Sequence, residues 1–129
     1  MEITTRMEFD AGHRIPGHKN TCKNLHGHRY ALEVTIKGEI IQQESASEFG
    51  MVMDFKDAKD LIKSTIVDRW DHAFIVYDKD QEVVDFLSTL EGHKTVTLPK
   101  VPTAENMALI AFESLKEAFK EKFSVSIIP

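Results

Sequence analysis

A single cysteine, Cys22, is all the thiol chemistry this sequence holds. No intramolecular disulfide can form, and a reducing compartment is the expected setting. Long apolar runs are missing too. Nothing approaches the roughly 20 residues that cross a bilayer, and the N-terminus lacks the apolar core of a signal peptide, so the expectation is a cytoplasmic protein with no membrane partner. Positive charge is not in excess: 16 Lys and Arg stand against 21 Asp and Glu, a formal net charge of −5. Neither sign forms long blocks, which argues against nucleic acid as a partner. There are no internal repeats, low-complexity tracts or Gly-rich dinucleotide motifs. What remains is a chain of 129 residues, 42% hydrophobic and 29% charged. That composition can build a core, and residues 1–129 read as one domain.

Hydrophobic alternation opens the chain. Ile3, Thr5, Met7, Phe9, Ala11 and His13 share one parity against Glu2, Thr4, Arg6, Glu8 and Asp10, the period of a half-buried strand. His26, His28, Tyr30, Leu32, Val34 and Ile36 repeat the pattern and predict a second strand over about 26–40. Pro16, Gly17, Asn20 and Asn24 mark the loop between them. A polar connection from Gln42 leads to an expected third strand over 50–54. From Phe55 the period becomes helical, with Asp54 as cap. A shorter helix is expected from Asp80 to Leu90, closed by Gly92, then a strand over 93–98. Thr103, behind Pro102, is a natural N-cap for a last helix with Met107, Ile110, Ala111, Leu115, Ala118 and Phe119 on its apolar stripe. Val125–Ile128 starts a final strand, which the reading takes as cut short at Pro129. The fold class is α+β, an antiparallel sheet with helices on one face. Its exposed edges call for oligomerisation.

The chemistry gathers in C-K-N-L-H-G-H, residues 22–28. His26 and His28, at i and i+2 on a strand, project from one face, and Gly27 between them permits close approach. His13 is the last inward residue of the first strand. If the two strands pair antiparallel across the loop 14–25, three imidazoles converge at one end of the sheet. Neutral imidazoles suit Zn²⁺, and three protein ligands leave the fourth tetrahedral position open, as in catalytic rather than structural sites. An isolated H-x-H also occurs as ordinary half-buried sheet histidines; the third histidine at matching parity favours a metal. His18, in a polar loop, and His93, after a helix end, lack such support. Cys22 is either a small packing residue or, with Lys19 and Lys23 nearby, a thiolate acting as general base or nucleophile. Asp71–His72 is either a relay pair or a solvated helix end.

His13-Arg14, C-x-x-x-H-G-H at 22–28, M-V-M-D-F at 51–55, D-H at 71–72 and P-T-A-E-N at 102–106 together resemble the 6-pyruvoyltetrahydropterin synthase superfamily along nearly the whole chain. The three residues between Cys22 and the H-G-H resemble the bacterial 6-carboxytetrahydropterin synthases of queuosine (7-deazaguanine) biosynthesis. The resemblance implies a tunnelling fold (T-fold) whose subunits close a β-barrel, and a homohexamer made of two trimers. It implies Zn²⁺ on His13, His26 and His28, Cys22 as the proton-abstracting base, and His72 paired with Asp71 as a proton relay meeting them at a subunit interface. The implied substrate is 7,8-dihydroneopterin triphosphate. One branch converts it to 6-carboxy-5,6,7,8-tetrahydropterin with release of acetaldehyde and triphosphate; the other eliminates triphosphate to give 6-pyruvoyltetrahydropterin. Thr103 matches a substrate-contacting segment of the family, besides capping its helix. Lys19, Lys23 and Arg14 either meet the triphosphate or belong to a solvated loop.

Two departures stand out. The family's glutamate on or after the final strand has no counterpart here, and Glu105 belongs to the helix-start motif instead. The family's L-D-H followed by L-N reads W-D-H-A-F-I-V-Y-D in this chain. A non-catalytic zinc- or pterin-binding relative and a simple zinc hydrolase stay open beside the lyase. Keeping Cys22, Asp71 and His72 together favours chemistry over binding alone.

Overall fold

The computed structural model describes residues 1–123 and 125–129. Strand β1 (Glu2–His13) and strand β2 (His26–Lys37) form an unbroken antiparallel ladder from Glu2↔Lys37 to His13↔His26. The inward parity read from the sequence is the buried one: Phe9, Ala11, His13, Val34 and Ile36 all face the core. β2 ends three residues earlier than expected. A Cβ on Gly38 would lie 2.9 Å from Val52, so the chain must turn there where only glycine fits.

The third strand expected over 50–54 does not form. Gly50 sits at φ +85° and breaks the extension, while Val52 and Met53 are both buried. Consecutive residues pointing inward are incompatible with a pleated strand that has one solvated face. Helix α1 (Phe55–Ile62) follows, with the Asp54 carboxylate accepting from Lys56 N–H at 2.7 Å. It runs through a π-helical turn (Lys63–Val67) into helix α2 (Asp68–Trp70). The wider turn lets neighbours Ile66 and Val67 both face inward before Trp70.

Strand β3 (Phe74–Tyr77) has no counterpart in the sequence reading. It lies between β1 and β4 (Thr95–Leu98) and is parallel to both; with β5 (Ser126–Ile127) at the far edge, the order is β4-β3-β1-β2-β5. Ile75 and Val76 are both fully buried, because a central parallel strand is covered on both faces and loses its alternation. The sheet is therefore mixed rather than wholly antiparallel. Helix α3 (Gln81–Ser88) packs Val83 and Leu87 on Val76, apart from the main core. Since Val76 points opposite to its core neighbour Ile75, this short helix covers the other face, an exception to helices on one side. Helix α4 (Ala104–Phe123) starts at Thr103, whose hydroxyl accepts from Asn106 N–H at 3.1 Å. It lays Met107, Ala111, Leu115 and Phe119 on the sheet beside α1. Strand β5 (Ser126–Ile127) adds antiparallel to Ile36 and Lys37 of β2.

Candidate metal centre and active site

The β1–β2 register places His13 opposite His26 and Ala11 opposite His28, with Gly12 facing Gly27 between the two pairs. Both glycines sit where the backbone and a ring approach closely. A Cβ on Gly12 would stand 2.7 Å from the Phe74 ring, and one on Gly27 3.0 Å from the Ala11 carbonyl oxygen. The three imidazoles meet on the core side of the sheet end, each offering one nitrogen within 4.8 Å of the others.

Hydrogen bonding fixes two of the tautomers. A carbonyl only accepts, so His13 Nδ1–H donates to Pro102 O at 2.8 Å and His26 Nδ1–H donates to Asn24 O at 2.6 Å. With both rings neutral, each keeps a bare lone pair on Nε2, and these two Nε2 atoms lie 3.0 Å apart. Two lone pairs at that distance repel unless a cation stands between them. Nitrogens sharing a tetrahedral Zn²⁺ at about 2.0–2.1 Å are about 3.3 Å apart, so the pair is close to a metal-binding separation. The third ring, His28, stands edge-on to both, with centroids at 5.0 and 4.9 Å. Burial pushes the His13 pKa down, the Pro102 carbonyl opposes this, and His26 and His28 add to the lowering. A neutral imidazole is the form a metal needs. The donor set fits a divalent metal, with backbone carbonyls accepting the Nδ1–H of two of the rings and so orienting them.

Tyr30, on the same parity, closes the inner side: its ring stacks on Phe9 at 5.2 Å, and its hydroxyl oxygen lies 3.2 Å from His13 Nδ1. Burial pushes that phenol up to about 12, so it stays protonated. Tyr30 shares the inward parity of β2 visible in the sequence, but only the fold gives it this role. Pro102 was legible only as the residue before a cap, because its contribution is a backbone carbonyl.

Asp71 and His72 follow α2. His72 is the sole non-glycine residue with positive φ among those described, at 60°, a strained conformation that needs support. Asp10 N–H donates to Asp71 Oδ1 at 3.0 Å, and His72 N–H donates to the Asp10 carbonyl at 2.6 Å. Lys94 Nζ donates to the carbonyls of Asp68 and Asp71 at 2.7 and 2.5 Å. Asp71 Oδ2 lies 2.9 Å from His72 Nδ1, and the His72 side chain is 76% exposed. The Asp10 N–H first, and then His72, hold the Asp71 carboxyl below its usual range. The pair is therefore a carboxylate-oriented imidazole presented to solvent. His72 and His28 both line a shallow, open depression that Asp10, Gly12, Gly27 and Arg29 also border.

Cys22 lies half-buried in a short turn (Thr21–Lys23) of the loop between β1 and β2, and its carbonyl accepts from Ile15 N–H at 2.8 Å. Among the described residues its thiol is not part of the histidine group. Lys19 and Lys23 are exposed on the same loop. Thr103 caps α4 one residue beyond the Pro102 carbonyl. His18 and His93 are satisfied locally, by Asn20 N–H and by the Thr95 hydroxyl. Arg14 is engaged by Asp80.

Comparison with known proteins shows the family. The family model described as 6-pyruvoyl tetrahydropterin synthase matches residues 2–128. A 6-carboxy-5,6,7,8-tetrahydropterin synthase of Rickettsia bellii is 45% identical over 84% of this chain and 75% of its own length. One from Haemophilus influenzae is 39% identical over 98% of this chain and 89% of its own. Among solved structures, the 6-pyruvoyl tetrahydropterin synthase of Caenorhabditis elegans is 28% identical with a TM-score of 0.60, covering 92% of this chain and 78% of its own. An uncharacterised protein of Wolinella succinogenes superposes with a TM-score of 0.76 over 98% of this chain and 88% of its own; at 21% identity it speaks for the fold alone. By the match over almost its whole length, the chain belongs to the 6-pyruvoyl tetrahydropterin synthase family of enzymes.

Proposed function

We propose that the protein is a zinc-dependent carbon–carbon lyase converting 7,8-dihydroneopterin triphosphate to 6-carboxy-5,6,7,8-tetrahydropterin, acetaldehyde and triphosphate, within queuosine biosynthesis. The observation that carries the reading is the pair of opposed Nε2 lone pairs on His13 and His26 with His28 beside them, in a chain 39–45% identical to relatives bearing that enzyme name. His13, His26 and His28 would hold Zn²⁺. Bound there, the metal supplies Lewis acidity that makes positions next to the substrate's side-chain oxygens more acidic.

The chain's own groups do the rest. Cys22 takes a proton from the substrate side chain as thiolate. His72, with Nδ1 facing Asp71, presents Nε2 to pass protons, and the Asp71 carboxylate fixes the orientation of the ring. Tyr30 and the Pro102 carbonyl hold His13 so that its Nε2 faces outward. Thr103, Lys19 and Lys23 contact the substrate, the lysines through its triphosphate. The active unit is a cytoplasmic homohexamer, two trimers closing β-barrels, in which Asp71–His72 of one subunit serves a neighbour's site. Sedimentation should return the mass of six chains.

The test is incubation of the zinc-loaded protein with 7,8-dihydroneopterin triphosphate and product identification by mass spectrometry. 6-Carboxytetrahydropterin with acetaldehyde supports the proposal. 6-Pyruvoyltetrahydropterin without acetaldehyde assigns the protein to the other branch, and no turnover leaves a binding relative.

A further inference from the structure

Asp80 occupies the N-cap position of α3, where an aspartate ordinarily accepts a backbone N–H from the first turn. It makes no such bond. Both of its oxygens go to Arg14 instead: Nε donates to Oδ2 at 2.7 Å and Nη2 donates to Oδ1 at 2.6 Å. Asp80 is 8% exposed, and Glu82 stands 3.9 Å from the same Nη2. A helix has forgone its cap so that a shielded carboxylate can grip an arginine 66 residues away in sequence.

The position of that grip matters. Arg14 directly follows His13, and Ile15 N–H closes the loop by donating to the Cys22 carbonyl at 2.8 Å. The ion pair thus sits at the root of the loop, between a metal-ligand position and the bond that ties down Cys22. A planar guanidinium held by two parallel bonds admits one orientation, which a single ammonium would not impose.

We propose that Arg14 and Asp80 are positioning residues: their bidentate pair sets the exit of β1 and thereby holds the Cys22 loop against the histidine group. Arg14 is not a contact for the substrate's phosphates, because its charge is already matched by Asp80 and faced by Glu82. The inference deepens the reading of Cys22 as the proton-abstracting base and rests on it for its catalytic consequence.

Arg14→Lys and Asp80→Asn, each in the zinc-loaded protein, test it. Asp80→Asn keeps the side-chain size and a capping oxygen, so it provides a folded variant if Arg14→Lys is unstable. Cys22 modification by an aromatic disulfide, followed well below the melting temperature, reads the loop directly whether or not any substrate turns over. We expect zinc stoichiometry to stay at the wild-type level and the modification rate to rise at least about fivefold in both variants as the loop opens more often. With 7,8-dihydroneopterin triphosphate as substrate, kcat should fall while KM shifts by less than about twofold. An unchanged thiol rate in both folded variants would make the pair a structural tie and overturn the proposal. A raised KM in Arg14→Lys with intact kcat, joined to a lowered KM in Asp80→Asn, would make Arg14 a phosphate contact and overturn it too.

Discussion

His13 and His26 each donate one ring N–H to a carbonyl, so two neutral rings leave no proton for the 3.0 Å gap between their Nε2 atoms. The gap is unfavourable without a cation. Replacing His26 by alanine should therefore cut zinc from about one ion per chain to a small fraction of that, read by elemental mass spectrometry; undiminished stoichiometric zinc would sink the site. Cys22 plays a different part in the proposed chemistry. Cys22→Ala should retain zinc and lose turnover by at least about a hundredfold, the low end of a general base's contribution, in a steady-state assay. Loss of zinc in that variant would make the cysteine a ligand and remove the base. At this scale the sequence was legible where function uses side chains at fixed spacing: His13 falls on the inward parity of β1, and His26 and His28 on that of β2. Pro102 was not, since a backbone carbonyl leaves no mark on residue type. Asp80 reads in isolation only as the start of a helix, since its bond to Arg14 joins segments far apart in sequence.

Elements meet through a few specific contacts. The Gly12 backbone accommodates the Phe74 ring, so an added methyl would push β3 away from β1. Gly12→Ala should cost about 1–3 kcal/mol by urea unfolding, the usual range for overpacking; a change below 0.5 kcal/mol would show that the ring yields freely. Asp71 ties the end of α2 to β1 through Asp10 N–H. Its folded-state pKa lies below the ordinary 3.8, so the unfolded chain binds the proton more readily. The stability it adds is present above about pH 4 and is lost as pH falls through the lower folded value. The stability gap between the protein and Asp71→Asn, measured by urea unfolding across pH 2–7, should be level at neutral pH and close on acidification. A gap that widened on acidification would reverse the sign. Of the elements, β1, β2 and α4 were legible because each buries one face with a clear period. β3 was not: two consecutive buried residues, Ile75 and Val76, carry no period at all.

Across the whole molecule, a metal that binds only the folded histidine group must stabilise the fold by mass action. With free zinc at about 100 times Kd the gain is about 2.7 kcal/mol, so chelation should lower the melting temperature by at least about 5 °C for a domain of this size. Calorimetry that shows no shift after verified zinc removal would place the ion outside the folded core. The α+β class, the helix caps at Asp54 and Thr103 and the convergence of three histidines were determined by the sequence alone. Each depends on neighbours within one or two strands or one helical turn, where period and residue type carry the information. The mixed sheet, the second-face position of α3, the Pro102 and Asn24 carbonyls that set the tautomers and the diversion of Asp80 to Arg14 were decided only by tertiary structure. They join segments tens of residues apart, and no local pattern encodes which partner a buried polar group finds once the chain has closed around it.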